Sequence, residues 1–303
     1  DTTGTALWAR SVTGGGSNKS SFNSVAIDSS GNVYAAGYQY GSLSYGEGVT
    51  ATGISEKSVV LVKYNSSGTA LWATGLLSGT DVSYFKSITV DSLGNVYAAG
   101  YQYGTESYTY GTGVSVSGTY SGDNVVLVKY DSLGTALWAK SVSAGANNSY
   151  FNSVAIDSSG NVYTAGYQNG TGSFTYGTGA SVSGTNSLHN AVLVKYDLTG
   201  SALWARSLSS VTNYSLFTSV SVNSFGNIYV AGVGNLAKYD SSGTTIWVKN
   251  VNSFNSVAVD SSGEIYTAGY QYGTESYTYG DEVSIAGTYA GGSNAVLVKY
   301  GAP

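Results

Sequence analysis

Short runs of alternating apolar and polar residues fill the chain, and one such run recurs five times. The stretch 153–168 reads Ser-Val-Ala-Ile-Asp-Ser-Ser-Gly-Asn-Val-Tyr-Thr-Ala-Gly-Tyr-Gln, and close copies begin at Ser24, Ser87, Ser219 and Ser256. A short alternating run, a Gly-containing turn and a second apolar run are typical of two strands joined by a tight turn. No segment has the 3.6-residue apolar period of a helix, so the pattern predicts an all-β chain.

Each repeat contains four predicted strands, which we name A, B, C and D. Strands A and B flank the tight turn, strand C is an apolar run ending in Lys-Tyr, and strand D carries a Trp. A Phe stands two residues before each strand A: Phe22, Phe85, Phe151, Phe217 and Phe254. The D-strand tryptophans are Trp8, Trp72, Trp138, Trp204 and Trp247. We expect these aromatic residues to pack between neighbouring sheets, because large rings in every repeat are typical of a core.

The spacing of the repeats predicts a β-propeller. Successive tryptophans at positions 8, 72, 138, 204 and 247 lie 64, 66, 66 and 43 residues apart. The shortest repeat has the size of a four-stranded propeller blade, about 40–45 residues. The longer repeats add an excursion between strands B and C that reads as a small hairpin, at 43–53, 108–118, 174–184 and 277–287. The fourth repeat lacks it.

The two chain ends predict how the array closes. The chain begins in a D strand around Trp8 and stops after a C strand at Tyr300. We therefore expect one five-bladed β-propeller domain over residues 1–303, with four antiparallel strands in each blade. Residues 1–13 would supply the outer strand of the blade formed by 252–301, which would leave no open sheet edge.

Two segments carry a resemblance to a known family. Asn-Val-Tyr-Ala-Ala-Gly at 32–37 and Leu-Val-Lys-Tyr-Asn-Ser-Ser-Gly-Thr-Ala-Leu-Trp at 61–72 resemble the SBBP-type β-propeller repeats of bacterial surface and secreted proteins, and the similarity runs through the whole chain. The turn between strands C and D is also similar to quinoprotein-type propeller repeats. The SBBP resemblance implies an extracellular or cell-surface location and no general enzymatic activity.

Charge and composition exclude several classes of binding partner. The net charge is −5, and the 12 Lys and Arg residues are scattered, which excludes the basic patch that nucleic acid or an anionic membrane requires. No apolar run approaches the roughly 20 residues of a membrane-spanning helix, so we expect no direct membrane insertion. Thiol chemistry is excluded because there is no Cys. The chain starts at Asp1 without a signal or anchor segment, and we expect it to be a processed form of an exported protein.

The sequence predicts no metal, cofactor or catalytic residue. The Asp-Ser-Ser-Gly turns could suggest calcium, but they lack further carboxylates, and an Asp that accepts hydrogen bonds from its own turn explains them. His189 is the single His and has no evident catalytic partner. The acidic residues fall in turns or excursions, whereas a glycoside hydrolase needs two carboxylates facing each other across its substrate. A glycoside hydrolase is therefore the weaker alternative.

One end of each blade is the predicted working surface. In an up-and-down blade the short A–B and C–D turns lie at one end, and the long, variable B–C and D–A connections lie at the other. Recognition usually resides on variable loops that a rigid scaffold holds. The candidate binding residues form polar and aromatic corners at the ends of four B strands: Tyr38, Gln39, Tyr40, Tyr101, Gln102, Tyr103, Tyr167, Gln168, Tyr270, Gln271 and Tyr272.

Three functions remain open from the sequence. The first is a non-enzymatic bacterial surface or secreted module for binding or adhesion, which recognises a glycan or a surface protein through the loop-rich end. The second is a structural subunit of a filament, sheath or surface assembly, in which Tyr-rich hairpins pair with copies of the same chain. The hairpin tyrosines, such as Tyr108 and Tyr110, either pack on their own blade or form an exposed contact surface. The third is the hydrolase.

Overall fold

A computed structural model describes residues 3–13, 19–54, 56–208, 215–280 and 283–301 of the chain. Every regular element in these ranges is a β-strand, as the sequence predicts. No described residue belongs to a helix that could cross a membrane. The chain divides into two compact units, residues 1–151 and 152–303, which are described separately. The extent of a single domain over 1–303 stays a prediction.

The first unit contains the strands of the first two repeats and the start of the third. In chain order they are β1 (Ser20–Ile27), β2 (Val33–Gln39), β3 (Leu43–Gly46), β4 (Val49–Ala51), β5 (Ser58–Tyr64), β6 (Ala70–Gly75), β7 (Ser83–Val90), β8 (Val96–Tyr103), β9 (Ser107–Gly111), β10 (Val114–Ser117), β11 (Asp123–Tyr130), β12 (Ala136–Lys140) and β13 (Ser149–Ile156), the last of which continues into the second unit.

The second unit contains the remaining strands. They are β14 (Val162–Asn169), β15 (Ser173–Thr175), β16 (Ser181–Ser183), β17 (His189–Tyr196), β18 (Ala202–Ser207), β19 (Leu216–Val222), β20 (Ile228–Val233), β21 (Asn235–Tyr239), β22 (Thr245–Asn250), β23 (Ser253–Val259), β24 (Ile265–Tyr272), β25 (Ser276–Gly280), β26 (Val283–Ala286) and β27 (Ser293–Tyr300).

The predicted A-B-C-D order is confirmed in four sheets. Their strand orders are β1-β2-β5-β6, β7-β8-β11-β12, β13-β14-β17-β18 and β19-β20-β21-β22, with antiparallel pairing, as expected for propeller blades. The predicted excursions are hairpins between strands B and C: β3–β4, β9–β10, β15–β16 and β25–β26. The fourth repeat passes from β20 to β21 through Gly234 alone, so its lack of an excursion is also confirmed.

The last sheet corrects the prediction of four strands in every blade. It contains three strands, in the order β23-β24-β27, and the described part of the chain adds no fourth strand beside β27. Residues 3–12 form no strand, and residues 1 and 2 lie outside the described residues. Instead, Trp8 donates its indole N–H to the carbonyl of Ser66 at 3.1 Å, and Arg10 Nε donates to the carbonyl of Gly68 at 2.6 Å. These bonds hold the N-terminal segment on the C–D turn of the first sheet. The closed five-bladed ring therefore stays a prediction.

The turns between strands A and B are stabilised by their own carboxylates. The Asp28 side chain accepts from the backbone N–H groups of Ser30 and Asn32, both at 2.9 Å, and from the hydroxyl of Tyr34 at 3.0 Å. Gly31 has a φ of 78°, which completes the turn at no steric cost. Asn223, in the A–B turn of the fourth repeat, and Asn65, in the C–D turn of the first, accept the same backbone bonds with an amide oxygen. The prediction of turn chemistry is thereby confirmed.

A glycine in strand B faces an irregularity in strand A. The register of β7 and β8 shifts between Phe85 and Ser87, and Gly100 pairs with Phe85 at this bulge. A Cβ added at Gly100 would overlap the carbonyl oxygen of Tyr84. Gly37, Gly232 and Gly269 meet strand A in the same way. The bulge brings the two backbones close together, and only glycine fits opposite it.

In the first unit, the core lies between the first two sheets. Tyr34, Ala36, Val59 and Leu61 are fully buried and share one cluster with residues of the next sheet: Phe85, Ile88, Val96, Ala98, Val126, Val128 and Tyr130. Trp72 packs against this cluster, with its ring centroid 6.1 Å from that of Tyr34. The packing role predicted for the repeated Trp and Phe is confirmed here. Phe22 differs, with 43% exposure, because no sheet of the first unit precedes its own.

The second unit repeats this packing between its own sheets. Tyr163, Ala165, Ala191 and Leu193 cluster with Phe217, Val220, Ile228, Val230 and Tyr239 of the next sheet. Tyr229, Ala231 and Leu236 then cluster with Phe254, Val257, Ile265, Val296 and Val298 of the last sheet. Within each unit, a sheet thus buries one face beneath the sheet that precedes it, and these interfaces use the same positions.

We predict that Gly100→Ala strongly destabilises the fold. The added methyl group overlaps a backbone carbonyl that the A–B pairing holds in place, so we expect a loss of about 3 kcal/mol or more in the free energy of unfolding. Gly172→Ala is the control, because an added Cβ there meets nothing within 4 Å; we expect a change within about 0.5 kcal/mol. Urea denaturation measures both, and similar values for the two variants would contradict the bulge argument.

We also predict that acid weakens the fold through the turn carboxylates. Burial, the largest effect on Asp28, raises its pKa, but hydrogen bonds from Asn32, Tyr34 and Ser30 outweigh it and leave the pKa below its ordinary value. Hydrogen bonds from the Ser242 and Ser262 side chains are the main cause of the lowered pKa of Asp240 and Asp260. A folded pKa below the unfolded one stabilises the fold above the unfolded pKa, near 4, and this stability is lost as pH falls through the folded value.

The variant that removes these three carboxylates is Asp28→Asn combined with Asp240→Asn and Asp260→Asn. Asn65 and Asn223 show that an amide can hold this turn, so the variant should fold. Its melting temperature should fall less than that of the parent between about pH 5 and about pH 2. Circular dichroism melting across this range is the measurement. Parallel pH profiles for the two proteins would mean that the turn carboxylates do not carry the acid sensitivity.

Candidate functional site

The predicted binding residues lie where four B strands end and their hairpins begin. All except Tyr40, which directly follows β2, belong to β2, β8, β14 and β24, at the end of each sheet that also carries the D–A connections. Successive side chains of a strand point to opposite faces. The Gln of each corner therefore points away from the Tyr on either side of it, and the two residue types have different surroundings.

The glutamines are buried and hold the hairpins. Gln39, Gln102, Gln168 and Gln271 are at most 2% exposed. In each case the side-chain oxygen accepts from a hairpin tyrosine, as Gln102 does from the Tyr110 hydroxyl at 3.0 Å. Its amide donates to a hairpin carbonyl, which for Gln102 is that of Val116 at 3.1 Å. The other tyrosine partners are Tyr45, Tyr176 and Tyr279.

This pairing decides between the two interpretations of the hairpin aromatics. Tyr45, Tyr108, Tyr110, Phe174, Tyr176 and Tyr279 are buried on their own sheets. Burial raises the pKa of Tyr108 to about 12. These rings are packed and do not form an exposed contact surface. The hairpins are therefore rigid extensions of their sheets.

Tyrosines of strands A and B, with Tyr40 directly after β2, form a continuous row in the first unit. We call Tyr40, Tyr38, Tyr84, Tyr101 and Tyr150 the tyrosine stripe. The ring centroids of Tyr38 and Tyr84 are 4.8 Å apart, those of Tyr84 and Tyr101 are 5.0 Å apart in a stacked arrangement, and those of Tyr101 and Tyr150 are 5.1 Å apart. Tyr40 extends the row, 6.2 Å from Tyr38. All five residues are half-buried, so part of their surface faces solvent.

Two lysines lie over the stripe. Lys57 Nζ is 5.1 Å from the centroid of the Tyr84 ring and 5.8 Å from that of Tyr38. Lys86 Nζ is 5.8 Å from the Tyr84 ring and 5.7 Å from the Tyr101 ring. A hydrogen bond to Tyr84 is the main cause that raises the pKa of Lys57, and Tyr40 adds to it. Both ammonium groups thus lie beside aromatic surface, an arrangement stabilised by cation–π attraction.

A carboxylate closes one end of the stripe. Asp123, at the start of β11, accepts a short hydrogen bond from the Tyr150 hydroxyl. Burial is the main cause that raises the pKa of Asp123, the negative charge of Asp81 adds to it, and the Tyr150 bond and Lys86 oppose it. Asp81 lies in the preceding D–A connection and accepts from the backbone N–H of Val82 at 2.7 Å. Asp81 is thus close enough to Asp123 for its charge to raise the Asp123 pKa.

In the second unit, different side chains occupy the positions that correspond to the tyrosine stripe. Tyr167 contacts His189, with ring centroids 4.6 Å apart, and His189 Nδ1 is 2.7 Å from Asn169 Oδ1. Tyr270 is half-buried, and Tyr272 is 62% exposed. Tyr103, in the first unit, is the corner tyrosine beside the stripe at the surface, with 42% exposure. The candidate tyrosines therefore do not form one uniform site.

Sequence reasoning missed Tyr84, Tyr150, Lys57, Lys86 and Asp123. Tyr84 and Tyr150 stand directly before the repeated Phe of strand A, where the first and fourth repeats have Ser21 and Leu216. Lys57 and Asp123 occupy the position two residues before the apolar run of strand C, where the third repeat has His189. The residue type changes from repeat to repeat at these two positions, while the neighbouring Phe and strand C stay the same. This variation was the available signal of a site.

The stripe can bind a ligand by stacking and hydrogen bonding. Tyrosine rings provide flat apolar surface with a hydroxyl at the edge, and the two ammonium groups and Asp123 provide polar partners. Among the described residues no group of three or more His, Cys, Asp or Glu could hold a metal ion.

We predict that Tyr110→Phe destabilises the protein by about 1–3 kcal/mol, because it removes a hydroxyl that the buried oxygen of Gln102 accepts from. Tyr277→Phe is the matched control: its hydroxyl donates to the Tyr272 carbonyl at an exposed site, and its loss should cost within about 0.5 kcal/mol. Urea denaturation compares the two variants, and hydrogen exchange over 107–117 should rise only in Tyr110→Phe. Equal losses would show that the buried pair has no special role.

The chain has similarity to known proteins at a low level. No family model matches it, so the SBBP-type resemblance stays a prediction. An uncharacterized WD repeat-containing protein of Acanthamoeba polyphaga mimivirus is 30% identical over 182 residues, which cover 48% of this chain and 12% of that protein. The match therefore spans about an eighth of the relative's length.

Two solved structures are similar in backbone. A protein of unknown function from Bacteroides caccae has a TM-score of 0.48 and 13% identity, over 82% of this chain and 71% of its own. The WD40 domain of Neurospora crassa Pan2 has a TM-score of 0.46 and 11% identity, over 92% of this chain and 62% of its own. The repeated four-stranded sheets described above, and not these similarities, carry the assignment to propeller-type blades.

Proposed function

We propose that this protein is a non-enzymatic module of a bacterial surface or secreted protein that binds carbohydrate through the tyrosine stripe. The observation that carries this proposal is the row of five half-buried tyrosine rings at the hairpin end of the sheets, with two lysines over it. Sugar rings present an apolar C–H face and a rim of hydroxyl groups. Stacked tyrosines with adjacent charged donors match both features.

The rigidity of the stripe supports a binding role. Tyr38, Tyr84 and Tyr101 lie on strands, where paired backbones hold their orientation, and a site on strands is held more exactly than a site on loops. The buried Gln–Tyr pairs fix the hairpins beside it. Little conformational entropy would therefore be lost when a ligand binds.

The proposed location follows from composition. Few charged residues and an abundance of Tyr, Ser, Thr and Gly are common in extracellular bacterial repeats, and the predicted SBBP resemblance has the same implication. A surface protein is the other ligand that fits the stripe. The alternative of a structural subunit assembled through its hairpins has less support, because the hairpin aromatics are buried on their own sheets.

One observation favours the hydrolase as a second candidate. Asp123 has a raised pKa and shares its environment with Asp81 and the Tyr150 hydroxyl, beside the stripe. A general acid with a raised pKa near a second carboxylate is the requirement of glycosidic cleavage. If the protein cleaves any 4-nitrophenyl glycoside of a standard panel, Asp123→Asn should abolish that activity. No cleavage by the parent protein would leave binding as the function.

We predict that Tyr84→Leu combined with Tyr101→Val removes carbohydrate binding without harming the fold. The fourth sheet already pairs Leu216 with Val233 at these positions, so the exchange reproduces a native pair. A glycan array identifies the bound sugar, and titration calorimetry with that sugar should show affinity reduced about tenfold or more, because two stacking rings are lost.

Tyr289→Ser is the control for this experiment. It removes a tyrosine outside the stripe that is more exposed, at 62%, and should leave the affinity unchanged. An array without any bound glycan would overturn the carbohydrate proposal. Equal weakening by both variants would place the site away from the stripe.

A further inference from the structure

The interface between the first two sheets shows the contacts by which one sheet packs on the next. Tyr34, Ala36, Val59 and Leu61 of the first sheet cover the apolar face of the second. Strand A adds two polar contacts: Ile88 N–H donates to Ser24 Oγ at 3.1 Å, and Asn23 Nδ2 donates to the carbonyl of Phe85 at 2.8 Å. A covering face and two strand-A hydrogen bonds therefore form the junction.

The second unit uses the same junction twice. Val220 N–H donates to Ser153 Oγ, and Val257 N–H donates to Ser219 Oγ, both at 3.1 Å. Asn152 Nδ2 and Thr218 Oγ1 donate to the carbonyls of the phenylalanines in the next sheets, Phe217 and Phe254. Three junctions with matching positions show that the contact is a property of the repeat.

The last sheet exposes the covering half of this junction. We call Ala258, Tyr266, Ala268, Ala295 and Leu297 the tail face. These residues occupy the positions of Ala26, Tyr34, Ala36, Val59 and Leu61 in the first sheet. Leu297 is 76% exposed, whereas Leu61 is fully buried. Asn255 and Ser256 stand where Asn23 and Ser24 make the polar contacts, and both are exposed.

The first sheet exposes the receiving half. We call Phe22, Val25, Ile27, Val33 and Ala35 the head face; its strand-A residues are exposed, whereas Val33 is half-buried and Ala35 is buried in the core of the first sheet. Val25 is 63% exposed, although Ile88 at the same position of the second sheet is buried. A cavity of about 380 Å³ lies over this face, lined by Trp8 together with Phe22, Val25, Val33 and Ala35. Exposed apolar side chains that line an open cavity are typical of a protein–protein interface.

The N-terminal segment makes the side-chain contacts of a D strand, although it forms no strand. Trp8 donates to the carbonyl of Ser66 at 3.1 Å, and Trp72 of the D strand β6 donates to that of Ser132, in the next C–D turn, at the same distance. Arg10 bonds Gly68 as Arg206 of the D strand β18 bonds Gly243. The segment thus sits on the first sheet as a D strand sits on the sheet that follows it. Among the residues that the structure describes, no fourth strand lies beside β27 of the last sheet.

We propose that the chain assembles head to tail with copies of itself. The tail face of one copy docks on the head face of the next, whose Trp8 segment then pairs with β27 and completes the three-stranded sheet. Asn255 would donate to the carbonyl of Phe22, and Ser256 would accept from the N–H of Val25, as in the internal junctions. A head-to-tail contact is heterologous, so it generates a ring if the rotation closes and a filament if it does not.

The proposal is tested by breaking one half of the junction at a time. Val25→Asp places a charge on the head face and Leu297→Asp places one on the tail face; both positions are exposed, so the fold should be retained. Sedimentation velocity from about 1 to about 100 µM should show mass growing with concentration for the parent protein and a monomer for each variant. Leu133→Asp, at a turn residue that is 77% exposed and on neither face, should assemble like the parent.

Mixing the two variants gives the sharper result. The Val25→Asp copy keeps an intact tail and the Leu297→Asp copy keeps an intact head, so their equimolar mixture should form a heterodimer and nothing larger. A parent protein that stays monomeric over the whole concentration range would overturn the proposal. So would assembly that survives both substitutions, or a mixture that contains only monomers.

Cysteine pairing identifies the occupant, since the chain has no Cys of its own. In the variant Val25→Cys with Ser256→Cys, oxidation should yield a ladder of disulfide-linked copies on a non-reducing gel. A single monomeric band carrying an internal disulfide would show that each chain covers its own head face, and would overturn assembly between copies. Neither assay contains a glycan, so both results are independent of carbohydrate binding.

Discussion

A sheet with two apolar faces cannot bury both of them by itself, and this constraint shapes the whole chain. Within each unit, a sheet covers the next with the same Tyr, Ala and Leu positions, and strand A adds hydrogen bonds through its Ser and Asn side chains. The nearest-neighbour contact is therefore the unit of stability, as in other repeat proteins. The first sheet has no preceding sheet within its unit, and the last sheet has no following sheet within its own.

The same strands position the candidate binding site. Their period of two sends Gln102 towards its hairpin and its neighbour Tyr101 to the tyrosine stripe. The buried amide holds the hairpin, while the half-buried ring remains available to a ligand. A change at Gln102 would therefore act on stability, whereas a change at Tyr101 would act mainly on binding. The proposed carbohydrate site and the proposed head and tail faces are different surfaces, so an array assembled as we propose would present many copies of the stripe.

Much of the architecture could be predicted from the sequence because it depends on local patterns. Alternation identified the strands, Asp-Ser-Ser-Gly identified the turns, and the spacing of the tryptophans identified the sheets and the repeat without an excursion. These signals act within a few residues and recur several times, so each copy supports the others. The tight junction at Gly100 and the burial of Phe85 follow from the same regularity.

Only the tertiary structure determined which side chains are buried and which distant residues contact each other. The sequence placed Gln102 and Tyr101 together as candidate contacts, and only the packing separated an anchored amide from a half-exposed ring. It also placed Trp8 in a strand of the last sheet, whereas the structure binds Trp8 to the turn at Ser66. Tyr84, Lys57 and Asp123 lie far apart in sequence from most of the residues they meet. The sequence by itself thus determined the strands and their order, because these follow from short-range periodicity. The site and the open faces depend on long-range contacts between sheets, which no local pattern encodes.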